Sequence, residues 1–162
     1  MSYIPLPTGA GGEIRVGEVN PADTKYIGPE SLLAAAQNFT AAWVDVGPEI
    51  PTAGYTSLGV WLNLDVNDSL NMRIKALAKH TIAGTDEYEL VIRTLSATDV
   101  KVDAGYIEFN TDADQKVLLC IPLDGVVPYV QLQILAGTVG GTAGQVDSLY
   151  ATKAWAGAGG GF

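Results

Sequence analysis

Few side chains in this sequence could carry chemistry, and their types limit what that chemistry could be. His80 is the single histidine and Cys120 the single cysteine, so a nucleophile and base pair of that kind could be built in only one way. Cys120 lies in the apolar run Val117 to Leu123, where a free thiol behaves as a small buried hydrophobe. His80 closes a basic stretch, Arg73 to His80, and reads as a solvated strand end. A structural zinc site needs several Cys or His ligands and is excluded. There is no Gly-x-Ser-x-Gly elbow, and the glycine-rich run Gly137 to Gly144 lacks the lysine of a phosphate loop, so it reads as a hairpin turn. No catalytic residue and no cofactor are expected, and the chain reads as a protein that binds and assembles rather than an enzyme.

Two acidic turns are richer. Asp65, Asn67 and Asp68 form one, and Asp112 with Asp114 another, with the alternating spacing that could aim carboxylates at calcium. Neither completes an EF-hand loop, and Asp and Asn are ordinary residues of strand-ending turns, so no metal ligand is assigned. Trp43, Trp61 and Tyr55 could supply an aromatic platform for a sugar ring or another protein, because flat amphipathic rings give contact area at little entropic cost. Trp61 stands opposite an apolar stripe, so it is either open for binding or covered by an arm or a partner. Trp61 and Tyr55 are the candidate ligand-binding residues, whereas Trp43 is expected in the core between sheets.

The elements that must position these residues read as short strands. From Thr56 to Val66, Leu58, Val60, Leu62, Leu64 and Val66 share one face, and Ser57, Gly59, Trp61, Asn63 and Asp65 the other. Similar alternation is found at Trp43 to Val46, Glu87 to Leu95, Val100 to Asp103, Tyr106 to Phe109 and Tyr129 to Ile134. Lys116 to Ile121 is apolar on both faces and reads as a central strand. Gln145 to Trp155 supplies the last one. Asp68 to Gly84 and Ser31 to Gln37 each fit a helix or a strand, and both are read as strands. Eight or nine strands at regular spacing, stopped by Gly, Pro, Asn or Asp, predict an antiparallel β-sandwich, a jelly roll or related Greek key.

Three segments follow: an irregular, extended N-terminal arm over 1–30, the sandwich over 31–155, and a glycine-rich C-terminal tail over 156–162. The arm is broken repeatedly by proline and glycine yet carries Tyr3, Ile4, Leu6, Ile14, Val16, Tyr26 and Ile27, more apolar side chains than a solvated linker holds. These seven are the candidate subunit-interface residues, ordering against a neighbouring subunit.

A length of 162 residues suits one domain, and a net charge of -9 argues against direct nucleic-acid binding, since phosphates are held by Lys and Arg. No stretch approaches the apolar length of a membrane span, and no basic region leads an apolar run at Met1 to Ala10. One cysteine permits no internal disulfide and fits folding in a reducing cytoplasm.

WVDVGPEI at Trp43 to Ile50, TSLGVWLNLDVND at Thr56 to Asp68, MRIKALAKH at Met72 to His80 and VQLQILAGTVGGTAGQVDSLYATKAW at Val130 to Trp155 carry a resemblance. In this strand and turn pattern the chain resembles small β-sandwich virion proteins of tailed bacteriophages, of the auxiliary or decoration type. The resemblance implies a virion component assembled in the host cytoplasm, a homo-oligomer and often a trimer, whose partners are other virion proteins such as the major capsid protein. It transfers no binding residue. The alternative is a carbohydrate- or receptor-binding sandwich module of a phage tail or fibre, with Trp61 and Tyr55 stacking on sugars.

Overall fold

Among the described residues most of the alternating segments are strands, and no helix occurs. The computed structural model describes residues 7–9, 11–13, 25–96, 100–103, 105–109 and 113–155. The arm residues Tyr3, Ile4, Leu6, Ile14 and Val16, Asp112 of the second acidic turn, and the tail 156–162 lie outside that range. Two short strands, β1 (Pro7–Gly9) and β2 (Gly11–Glu13), pair antiparallel with each other.

Twelve strands follow: β3 (Lys25–Ser31), β4 (Gln37–Asn38), β5 (Val44–Pro51), β6 (Ser57–Asp65), β7 (Leu70–Lys79), β8 (Tyr88–Glu89), β9 (Arg93–Ser96), β10 (Val100–Asp103), β11 (Tyr106–Phe109), β12 (Gln115–Pro122), β13 (Tyr129–Thr138) and β14 (Gln145–Trp155). They form two antiparallel sheets. The first has the order β10-β11-β7-β13-β5, with β8 on the β7 edge beyond β11. The second has the order β3-β14-β6-β12-β9, with β4 also on β14. The strand carrying 25–31 thus crosses the 30/31 boundary between arm and sandwich read from the sequence.

One antiparallel ribbon generates most of this arrangement. Val44 pairs with Ile134, Ser57 with Pro122, and Ile74 with Ile107, so one limb runs forward almost residue for residue as the other runs back. The ribbon passes from the first sheet (β5 with β13) to the second (β6 with β12) and back to the first (β7 with β11). Folding a long hairpin over itself in this way is the winding of a jelly roll. The two sheets pack face to face, and their inner faces make the core.

The inner faces are mostly apolar, with Gln115 at the start of β12 a buried polar exception. Leu58, Val60, Leu62, Leu64 and Val66 are all buried, as the alternation of Thr56 to Val66 requires, and they meet Met72, Ile74, Ile107, Phe109, Val130, Leu132 and Ile134 from the opposite sheet. Each such side chain contributes about 1.5–3 kcal/mol by leaving water. Phe39, in the stretch between β4 and β5, joins them at 1% exposure and had no periodic signal to announce it. Where β5 breaks its ladder at Gly47 (φ 70°) and Pro48, Gln131 Nε2 reaches across from β13 and donates to the Gly47 carbonyl at 3.1 Å.

Three sequence expectations are corrected. Leu70 to Lys79 is a strand as read, but 32–36 is irregular: Leu32 and Leu33 pack on the core while the Ala34 to Ala36 run, which has no polar and apolar contrast, is exposed. Glu87 to Leu95 is not one strand. Its first part, β8, pairs β7 in the first sheet and its second, β9, pairs β12 in the other. The alternation persists across the crossing because Leu90 and Ile92 both turn inward there. Trp43 is not in the core. It lies half-buried on the outer face of the first sheet, with its ring centroid 6.1 Å from that of Tyr106 and the Lys75 ammonium 4.4 Å from its own.

That outer face holds the basic strand β7 in an acidic frame. Arg73 Nε donates to Glu108 Oε2 at 2.7 Å, and Lys79 Nζ to Glu49 Oε2 at 2.6 Å. Replacing Ile134 with alanine should cost about 2–5 kcal/mol in urea unfolding, because the inner face cannot collapse around the hole. Val126→Ala, at a position 78% exposed, should change stability by no more than about 0.5 kcal/mol.

Candidate binding face around Trp61

Because β6 buries its even-numbered residues, Gly59, Trp61 and Asn63 must stand on the outer face of the second sheet. Trp61 is 42% exposed. Its neighbours across the sheet are Tyr150 on β14 and Leu118 on β12, and Leu118 in turn pairs with Ser96 on β9. The next row outward is Ser148, Asn63 and Lys116. On the other side is the row of Thr152, Gly59, Cys120 and Arg93.

Tyr150 reaches this face through a register shift. The pairing of β14 with β6 slips between Val146 and Ser148, leaving Asp147 as the extra residue of a bulge. Val146 and Leu149 are therefore both buried, and Tyr150, 40% exposed, points outward beside Trp61. Without the bulge, the alternation begun at Val146 would turn Tyr150 into the core.

The indole of Trp61 is held at its polar edge. Nε1 donates to Thr152 Oγ1 at 2.9 Å, and the same nitrogen lies 3.8 Å from where a side chain on Gly59 would begin. The ring therefore leans over the glycine and away from the Asn63 row. Between the two rows lies a groove of about 460 Å³, lined by Trp61, Asn63, Lys116, Leu118, Ser148 and Tyr150. Its floor is apolar and its rim carries an amide, a hydroxyl and an ammonium.

Tyr55, the other residue expected in an aromatic platform, is not on this face. It packs against the core, with the Lys153 ammonium 5.4 Å from its ring centroid. Tyr26 and Ile27, at the start of the second sheet's terminal strand, are 68% and 43% exposed.

Beyond Asn63 and Lys116 a second depression, of about 500 Å³, is bordered by Asp114 and Asp147, and Asp65 stands beside them. The fold thus brings Asp65 of one acidic turn to Asp114 of the other, a meeting that sequence spacing does not contain. Burial, with the charges of Asp114 and Asp147, pushes the Asp65 carboxyl above the usual aspartate range. Asp114 Oδ1 accepts from the Val66 N–H at 3.0 Å, and Asp147 Oδ1 from Gln145 Nε2 at 2.6 Å. Asp68 Oδ2 accepts from the Thr142 N–H at 2.8 Å, and Asn67 Nδ2 donates to the Ala143 carbonyl, so this turn ties down the 139–144 loop. Among the described residues, no group of three or more His, Cys, Asp or Glu is placed to hold a metal ion.

The reactive pair is dispersed. His80, at the end of β7 in the first sheet, is exposed with Nε2 3.2 Å from Asp86 Oδ2. Cys120 is on the outer face of the second sheet, half-buried rather than buried as expected, with Arg93 Nη2 3.5 Å from its sulfur. The alternation of β12 gives its inner face to Val117, Leu119 and Ile121, which leaves the thiol outside.

What the chain is by architecture is an all-β sandwich, with an aromatic groove on the outer face of its second sheet. Comparison with known protein families, with curated proteins and with solved structures finds no match.

The two shifted carboxyls have opposite pH signatures. Glu49 is held below the usual glutamate range by the Ala83 N–H and then by Lys79, so its contribution is present at neutral pH and lost as pH falls through its folded pKa. Asp65 is raised, so its contribution is present below the unfolded value of about 3.9 and lost as pH rises through its folded pKa. Asp65→Asn should therefore raise the Tm at pH 7 and gain progressively less as pH falls, whereas Glu49→Gln should lower it at pH 7. Thermal melts from pH 3 to pH 8 check both.

Proposed function

We propose that this chain is a non-enzymatic structural protein of a virion, a capsid decoration or auxiliary protein that binds neighbouring subunits on the particle surface. In this reading it assembles in the host cytoplasm as a homo-oligomer and takes other virion proteins, the major capsid protein above all, as partners. The strand and turn pattern from Trp43 to Trp155 is one support.

The observation that carries the reading is where the large apolar side chains are left in water. Tyr26 and Ile27 stand exposed on β3, which among the described residues is the last strand of its sheet. Ile82, Tyr88, Val91 and Leu95 are each exposed in the segment that crosses between the sheets, at 67%, 61%, 72% and 55%. Scattered apolar residues are ordinary on a surface, but the adjacent pair Tyr26 and Ile27 and four such residues within 82–95 fit surfaces that other subunits cover.

The test is the solution mass of the full chain by light scattering over a range of concentrations. The wild type is expected to associate, and a Tyr26→Asp, Ile27→Asp double variant with unchanged circular dichroism is expected to shift towards the monomer. A wild type that stays monomeric both alone and with capsid particles, or a double variant that associates as well as the wild type, would count against the reading.

A further inference from the structure

The groove beside Trp61 has a composition that the assembly reading does not require. We infer that it is a binding site for a neutral glycan, with the indole of Trp61 as the stacking platform for one pyranose ring. The inference rests on different residues from the assembly reading: the groove adjoins the 82–95 segment only at Ser96 on β9, and it uses neither Tyr26 and Ile27 on β3 nor Ile82, Tyr88, Val91 and Leu95.

Three features of the site favour this ligand class. The first is the ring itself. An exposed indole usually keeps its N–H for water, but here Nε1 donates to Thr152 Oγ1 and the ring leans over Gly59, which has no side chain to prop it up. The polar edge is committed and the ring is fixed in orientation. A fixed aromatic surface presents its π-face at little entropic cost, and the C–H face of a pyranose is the apolar surface that matches it.

The second feature is the rim. A pyranose carries hydroxyls around an apolar face, and the groove places Asn63, Ser148 and Lys116 in one row beside the apolar pair of Trp61 and Leu118. Amide, hydroxyl and ammonium groups can donate to sugar hydroxyls, and the first two can also accept. Tyr150 stands at the opposite side of Trp61 from Leu118, so a second ring surface is available along the row. A volume of about 460 Å³ lies within the range of small-molecule sites.

The third feature is charge, which selects neutral over acidic sugars. Asp114 and Asp147 border the adjoining depression, which shares Asn63 and Lys116 with the groove, and Asp65 stands beside them. Lys116 is the only cation on the rim among the described residues, against these carboxylates and a chain of net charge -9. A sialic acid or uronate would be drawn to one charge and repelled by several.

The experiment uses the full chain on an array of hexose and N-acetylhexosamine oligosaccharides, printed with sialylated and uronate-containing counterparts. Any neutral oligosaccharide that binds is then titrated into isotopically labelled protein and followed by nuclear magnetic resonance. The expected result is binding to neutral members, with the largest shifts at the Trp61 indole N–H, Asn63, Leu118 and Tyr150. Trp61→Ala should weaken binding about tenfold or more, Trp61→Phe less so, and Trp43→Ala, on the other sheet, not at all. The shift map on the wild type keeps the inference testable even if Trp61→Ala fails to fold. Silence across the neutral members, binding confined to acidic glycans, or shifts that spare Trp61 and its neighbours would overturn it.

Discussion

The pleat of a single strand, β6, is the constraint on which the rest of the molecule depends. A strand has two faces and a period of two, so giving Leu58, Val60, Leu62 and Leu64 to the core obliges Gly59, Trp61 and Asn63 to face outward. Slipping its pairing by one residue would put four aliphatic side chains into water and a tryptophan and an asparagine into the core. The burial energy of the stripe therefore fixes the register, and the register fixes the site. The groove is a by-product of core packing that needs no separate folding instruction.

The ribbon extends this constraint across both sheets. Because β5, β6 and β7 pair in turn with β13, β12 and β11, the register of any one pair propagates to the next around each fold of the hairpin. Irregularities are allowed only where a specific group absorbs them. Gln131 satisfies the Gly47 carbonyl at the break in β5, and Asp147 is the added residue that re-aims β14. In the loop between β13 and β14, Gly140 has φ at 78° and a Cβ position that would run into the Asp68 backbone.

Much of the fold was legible because the core is written in alternation. The strands at 56–66 and 145–155 and the class of sandwich follow from period two and turn residues, whereas 70–79 fits a helix as well and reads as a strand by agreement with the strands on either side. Other features were hidden for identifiable reasons. The 87–95 segment keeps its alternation while changing sheets, since Leu90 and Ile92 plug the crossing. Trp43 was expected inside because tryptophan is large and apolar; its actual partners, Lys75 and Tyr106, are 32 and 63 residues away in sequence and become neighbours only through sheet pairing. The site was half legible. Trp61 facing outward could be read from one strand, but its companion is Tyr150 and not Tyr55, because a bulge changes which residues of β14 face out. The meeting of Asp65 with Asp114 and Asp147 likewise depends on pairing between strands distant in the chain.

The most direct test of this account is the set of through-space proton contacts made by Trp61 in the folded full chain, measured by nuclear Overhauser spectroscopy. The account predicts contacts from the indole ring to the Gly59 α-protons and the Thr152 methyl, and from the Trp61 backbone to Tyr150 on one side and Leu118 on the other. Contacts from the indole to Ile74, Ile134 or other inner-face side chains would contradict it, because they would place Trp61 in the core and reverse the face assignment of β6.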